Sequence, residues 1–399
     1  MPWKVTDVFD QRMEFVALYQ KGEYSMAELC KEFEISRPTG YKYWDRFQRE
    51  GPEGLYDLSR APHNHPNEVP KEVEAQILAL KARYPTWGPR KLQKRLVRDL
   101  PDIHWPVAST IGELLKREGL VCPRRRRPRA TPSPKLTAPN APNVVWCADF
   151  KGWFRTQDGH RCDPFTLMDA HSRYLLRCQA LSRTDGATVK PLFVAAFLEF
   201  GLPEVIRTDN GPPFGTTGLG GLSRLSVWFL KLGIHPERIK PGCPDQNARH
   251  ERMHLTLQCD LTHAPAANHR AQQRAFDRYR GVYNEERPHE ALEYKMPADV
   301  YVPSVRPYPL REPEFTYPSD YAVRQVRGNG CIRMGGREIC VSTVLIGEPV
   351  GLRPLLERHW ALYVGPLLVA VLDEAAGRLL VPDEAVPMML LESGEGGVG

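Results

Sequence analysis

No stretch of the 399 residues holds the roughly 20 consecutive apolar side chains that a membrane helix needs. The opening MPWKVTDVFD lacks an apolar core segment, so no secretory signal is expected there. The nine cysteines are odd in number and scattered, and none are spaced C-x-x-C. A zinc knuckle is therefore disfavoured, and reduced thiols in a cytosolic protein are expected. Charge of one sign is not in large excess: a net +6 is compatible with nucleic acid without requiring it. Hydrophobic residues make up 42% and charged residues 26%, the ordinary balance of a folded chain. That length supports about two to four domains with buried cores.

What is present is a set of acids on short apolar runs. Val205-Ile206-Arg207-Thr208-Asp209-Asn210-Gly211 opens as a strand and breaks into a tight turn, presenting a carboxylate at the strand's tip. Taken alone this is an ordinary turn. Asp149, however, lies in a second apolar run, Val144 to Phe150. Glu251 lies at the start of a helical stretch, Asp245 to His254. Two strand acids and one helix acid can meet at one edge of a sheet. Converging carboxylates repel one another and call for cations, and hard oxygen donors suit Mg²⁺ or Mn²⁺. Two such ions can clamp the attacking and leaving oxygens of an in-line phosphoryl transfer.

Four motifs stand in one order: Trp146-x-x-Asp149-Phe150, Thr208-Asp209-Asn210-Gly211-x-x-Phe214, Asn247-x-x-x-Glu251-Arg252-x-His254, and Tyr283-Asn284-x-x-Arg287-Pro288-His289. Together they resemble the catalytic core of bacterial insertion-sequence transposases and retroviral integrases, the DDE recombinases. The resemblance covers residues 140–300 closely, and the helical N-terminal part agrees with the same transposases. It implies a ribonuclease-H-like fold and divalent-metal-dependent DNA cleavage and strand transfer. Asp149, Asp209 and Glu251 would be both the catalytic residues and the metal ligands, with two Mg²⁺ or Mn²⁺ ions. It further implies terminal repeats and target DNA as partners, at least a dimer for synapsis, and a place in the bacterial cytosol. Asn210, Asn247, Lys240, Arg252 and His254 are candidates for holding phosphates.

Two departures from that pattern stand out. Forty-one residues separate Asp209 from Glu251, more than is usual in the family. The excess can sit in the Gly/Ser/Thr-rich GTTGLGGLSRLS, residues 215–226, where a surface insertion costs little. Asn247-Ala248 stands where the family has Asn-Gly, which argues for an earlier helix start, since alanine is the better helix former.

The remaining chain reads as modules around this core. Residues 1–52 carry helical apolar spacing, a Ser25–Glu28 capping box and a third helix begun at Ser36. That is the helix-turn-helix plan, with Arg37, Thr39, Tyr41, Lys42 and Arg46 as DNA contacts; a plain three-helix bundle is the alternative. A Pro/Gly/Asn-rich linker fills 53–70, and a second helix-turn-helix domain is expected over 71–121. Its middle helix carries Arg90, Lys91, Lys94, Arg95 and Arg98, suited to phosphates or to a solvated face. Arg124, Arg125, Arg126, Arg127 and Arg129 lie in a basic Pro-rich linker, 122–141, suited to a DNA backbone.

The core at 142–300 predicts three strands followed by alternating helices and strands, a mixed sheet flanked by helices. Asp169 is expected to hold a turn with Ser172 rather than a metal. A Pro-rich linker, 301–320, precedes a small β-barrel at 321–390 and a tail at 391–399. The predicted class is thus multidomain α/β, with helical modules, a mixed central sheet and a C-terminal barrel.

Two rival functions come from the same residues. His250-Glu251-Arg252-Met253-His254 is literally H-E-x-x-H, the zinc-protease motif, with both histidines on one helical face. It leaves Asp149, Asp209 and the basic N-terminal half unexplained. A DNA-binding regulator with an inactive core is the other alternative, and an intact acid triad speaks against it.

Overall fold

Three helices fill the first of two units, Met1–Val69: α1 (Val8–Gln20), α2 (Met26–Glu32) and α3 (Arg37–Glu50). The structure is a computed structural model describing residues 7–58, 69–121, 136–240, 243–262, 265–355 and 358–380. Ser25 and Glu28 form the capping box, each side chain accepting from the other's backbone N–H. Ser36 caps α3 by accepting from the Thr39 N–H. Phe15, Val16, Met26, Leu29 and Leu55 bury the seam between the helices. At Gly40 a Cβ would stand 2.6 Å from Cys30 Sγ, so α2 and α3 touch only because this side chain is absent.

The second unit, Pro70–Gly399, opens with α4 (Lys71–Arg83), α5 (Pro89–Asp99) and α6 (Ala108–Arg117). Their apolar faces converge on Ile77, Trp87, Leu92, Trp105 and Ile111.

The central sheet contains β1 (Val145–Phe150), β2 (Phe154–Arg155), β3 (Arg161–Asp169) and β4 (Leu175–Leu181). After α7 (Gly186–Phe200) come β5 (Val205–Thr208), α8 (Arg224–Lys231) and β6 (His235–Arg238). Strand order is β2-β3-β1-β5-β6, with β4 also paired to β3. β1 runs antiparallel to β3 and parallel to β5, and β5 parallel to β6, giving a mixed sheet. Alternation along the strands sends Trp146, Ala148, Phe165 and Leu167 to one face, against α7 and α8. Cys162 and Met168 face α9 (Ala248–Leu257) and α10 (His269–Gly281) on the other. The mixed sheet flanked by helices that the strand pattern predicts is present.

Asn284, just past α10, does a strand's work. Its side chain accepts from the Leu175 N–H and donates to the Leu175 carbonyl, closing the start of β4.

Past the core are β7 (Ala322–Gln325), β8 (Cys331–Met334), β9 (Arg337–Cys340), β10 (Pro349–Pro354), β11 (His359–Val364), β12 (Leu367–Asp373) and β13 (Arg378–Leu380). The expected barrel is not found: the described strands form an open sheet, β13-β12-β11-β10-β7, and a separate β8–β9 hairpin. Closure would need the two edge strands to pair, whereas the sheet buries one face on α8. Leu222, Val227 and Leu230 enter the same apolar cluster as Val350, Leu352, Leu362 and Val369. Residues 215–226 are therefore not a bare surface insertion, for Leu222 and Leu225 are buried. Six cysteines among the described residues are free, and the expectation of reduced thiols needs correction for one pair. Cys331 and Cys340 sit opposite each other in the hairpin and are joined by a disulfide.

Among the described residues no helix is long and apolar enough to cross a membrane.

Candidate active site

Strand register brings the first two acids together. β1 and β5 are parallel with Cys147 opposite Arg207. Asp149 and Asp209 each lie two residues further on, so both project from the C-terminal ends of adjacent strands on one side. That edge is where open α/β sheets place ligands. The third acid arrives from α9, which crosses the same face of β1 and β3. Buried His250, Met253, His254 and Leu257 form its inward stripe, and Glu251 lies one step to the side, exposed.

The electrostatics follow from this convergence. Burial pushes the Asp149 carboxyl up to about 7, helped by the charges of Asp209 and then Glu251, while a bond from the Phe150 N–H pulls it down. Burial also raises Asp209, against a backbone bond from Gly211. Asp209 Oδ1 and Asn247 Oδ1 are buried without a hydrogen-bond partner among the described residues. Bare, mutually repelling oxygens of this kind fit a hard divalent cation. Asp149, Asp209 and Glu251 could hold it, while the ligand atoms lying within 4.8 Å of one another are those of Asp149, His250 and His254.

Thr166, opposite Asp149 in the β1–β3 register, is a contact the sequence reading missed. Its hydroxyl donates to the Asp149 carbonyl at 3.1 Å and lies 2.7 Å from Nε2 of both His250 and His254. Burial drives His250 well below the usual histidine range and His254 down to about 3. With each Nε2 at Thr166 and His250 Nδ1 enclosed in the packing, the pair does not offer two histidine nitrogens to one open position, as the zinc-protease plan requires. The helical spacing 250, 253, 254, 257 was the available signal for this inward stripe.

The other candidates divide. Asn247 is buried, with Nδ2 donating to Asp149 Oδ2 at 3.3 Å. Asn210 ties the ends of β5 and β6 through the Ile239 carbonyl, and Lys240 and Arg252 are exposed. His254, placed by sequence among the phosphate holders, is instead buried beside Asp149, because it lies on the inward stripe of α9. Asp169 accepts from Ser172 and from the Asn143 N–H, and holds the turn.

On α3, Arg37, Tyr41 and Lys42 are exposed, while Thr39 belongs to the Ser36 cap. Arg46 is corrected: it is buried and donates to the Tyr56 carbonyl at 2.6 Å, because its face of α3 packs on the following turn. Arg46→Ala should therefore lower stability by about 1–3 kcal/mol in denaturant titration, with DNA affinity of the folded fraction unchanged. A loss of affinity without a loss of stability would restore the DNA-contact reading.

On α5, Arg95 and Arg98 turn toward the core's C-terminal segment. Arg95 donates to the Glu286 carbonyl and Arg98 pairs with Asp299 at 2.6 Å. Tyr84 and Glu286 make a further bond in the same contact. Arg90 pairs loosely with Glu290, Lys91 is half-buried, and Lys94 is exposed. Arg124, Arg125, Arg126, Arg127 and Arg129 lie outside the described residues.

A mixed sheet carrying three converging carboxylates, joined to helical modules, defines a class of protein. Residues 139–244 and 232–297 match an integrase core domain, residues 11–63 a helix-turn-helix domain, and residues 39–115 a homeodomain-like domain. The chain thus carries segments similar to an integrase core domain and to helix-turn-helix domains. It is 28% identical over 247 residues to an uncharacterized 31.7 kDa protein of insertion element IS407 from Burkholderia multivorans, covering 60% of this chain and 83% of that one. It is 28% identical over 163 residues to the transposase of insertion sequence element IS904 from Lactococcus lactis, covering 40% of this chain and 61% of that one. Among solved structures, the HTLV-2 integrase catalytic core domain aligns with a TM-score of 0.31 at 15% identity, over 41% of this chain and 99% of that one.

Proposed function

We propose that this chain is a DDE-type transposase that cleaves DNA at the ends of an insertion sequence and joins the freed 3′-hydroxyl to target DNA. The observation that carries the reading is the placement of Asp149 and Asp209 at matched positions on parallel strands, with Glu251 on the helix crossing them. Two bound Mg²⁺ or Mn²⁺ ions would supply Lewis-acid activation and neutralise charge at the in-line phosphoryl centre. Asp149, Asp209 and Glu251 would hold them, with Asn247 orienting Asp149 from the side. Thr166 fixes the β1 backbone at Asp149 and receives α9. Catalysis on this scheme is positioning and electrostatic stabilisation, with no covalent enzyme intermediate.

The exposed Arg37, Tyr41 and Lys42 would contact the element's terminal repeats, and pairing two ends requires at least two protomers. The bacterial cytosol, where such an element resides, is the proposed location.

The test is strand cleavage and transfer on labelled DNA carrying the element's ends, with Mg²⁺, Mn²⁺ or chelator. Nicked and joined products that vanish with chelator are expected. Specific binding with no nicking under any metal would favour a regulator and sink the enzyme reading.

A further inference from the structure

We infer that His254, through Nδ1, is a nitrogen ligand to the cation held at Asp149. The inference deepens the proposed function and rests on it. It begins with the single proton of the Thr166 hydroxyl. Three groups lie within hydrogen-bond distance of Oγ1: the Asp149 carbonyl at 3.1 Å and the Nε2 atoms of His250 and His254 at 2.7 Å each. A carbonyl oxygen can only accept, and with the hydroxyl proton directed to Asp149 both Nε2 atoms donate to Oγ1. A neutral imidazole carries one N–H, which leaves Nδ1 bare on each ring. The opposite assignment, in which the hydroxyl donates to one Nε2, would put the proton of that ring on Nδ1.

The two bare nitrogens have different surroundings. His250 Nδ1 is buried without a partner among the described residues, inside the packed face of α9. His254 Nδ1 instead looks at Asp149 Oδ2 across 3.9 Å. That gap is too long for a hydrogen bond. It lies within the span of two ligand atoms on one ion, which with bonds of about 2.1 Å reaches about 4.2 Å. An unshared nitrogen pair facing a carboxylate oxygen is unfavourable unless something positive lies between them. Thr166 meanwhile plays the part that metal-bound histidines ordinarily require of a neighbour, accepting the other N–H and fixing tautomer and ring orientation. Asp149, His250 and His254 can indeed each offer one ligand atom within 4.8 Å of the others. The rival is a histidine that merely fills space under the sheet.

A donor set of carboxylates plus one imidazole shifts preference from Mg²⁺ toward Mn²⁺, Co²⁺ and Zn²⁺. His254 is therefore also a determinant of which metal the site accepts.

The experiment is Mn²⁺ bound to the whole chain, read by electron spin echo envelope modulation without any DNA. Wild type should show directly bound nitrogen, and growth with ¹⁵N-histidine should replace the ¹⁴N pattern, a change that perturbs no fold. His254→Gln should abolish the modulation and weaken Mn²⁺ binding by at least about tenfold, with a smaller effect on Mg²⁺. His250→Gln should keep it. Mn²⁺ that binds through Asp149 and Asp209 without imidazole modulation overturns the inference and leaves the carboxylate reading standing. Modulation surviving in folded His254→Gln also overturns it, and no Mn²⁺ binding in wild type overturns both.

Discussion

Glu251→Gln is expected to reduce strand cleavage about a thousandfold or more while leaving DNA binding in place. Replacing one carboxylate oxygen by an amide removes a charged ligand, and a bound metal contributes several kcal/mol of charge stabilisation to phosphoryl transfer. About 4 kcal/mol corresponds to that loss in rate. Asp149→Asn and Asp209→Asn should behave alike, with a second signature that misfolding would not give. Both residues are forced to carry charge in a buried, like-charged setting. Their neutral variants should therefore melt at the same temperature as wild type or higher when metal is absent. Single-turnover cleavage beside thermal unfolding in chelator reads both quantities. Activity within tenfold of wild type in any of the three would remove that residue from the triad.

The metal-free chain is expected to lose stability steeply as pH falls below about 6.5, before most carboxylates titrate. His254 and His289 are held down to about 3 by burial, and His250 lies well below its usual value for the same reason. Unfolded, each takes a proton near pH 6.5. Below that pH the unfolded chain binds more protons, so stability falls with acidity, by up to about 1.4 kcal/mol per pH unit for each group. Asp149 works in the opposite sense: raised to about 7, it favours the folded state below pH 4 and loses that contribution as pH climbs through 7. Asp209, Asp169 and Asp260, also raised by burial, act in the same sense as Asp149, so the acid destabilisation is expected where the three histidines take up protons in the unfolded chain, just below about pH 6.5. Asp149→Asn should steepen it. Unfolding midpoints at pH 7.5, 6.5, 5.5 and 4.5 measure the slope, and a flat profile would contradict the neutral, buried imidazoles.

Which parts were readable in advance follows from the range of the forces involved. Local signals held: the Ser25–Glu28 box, the cap at Ser36, and the apolar runs carrying Asp149 and Asp209 are determined by neighbours a few residues away. The convergence of those acids was legible because a strand tip followed by a turn presents its side chain whatever lies beyond. Long-range partners were not legible. Arg46 looks like a groove contact until the turn at Tyr56 folds back over it. Arg95 and Arg98 look like phosphate contacts until residues more than 190 positions away supply their acceptors. The C-terminal strands alternate as a barrel's would. Only the apolar side chains of α8 reveal that one face is covered by the core. His254 was the nearest miss, since the stripe 250, 253, 254, 257 was visible and only its partner on β3 was hidden.

The shared cluster between α8 and the C-terminal sheet bears on how this chain can be divided. Leu222, Val227 and Leu230 belong to the integrase core by sequence, yet are covered by Val350, Leu362 and Val369. Lys231 reaches across to Glu348 at 2.7 Å. Residues 302–308 run along the core as well, with Arg306 donating to the carbonyls of Pro203, Leu232 and Gly233. A chain cut after residue 300 would present that leucine and valine patch to water, beside acceptors stripped of their arginine. Such an exposed apolar surface seeks another surface, so the shortened product would associate with itself. The strands between Ala322 and Leu380 are the other half of a wall.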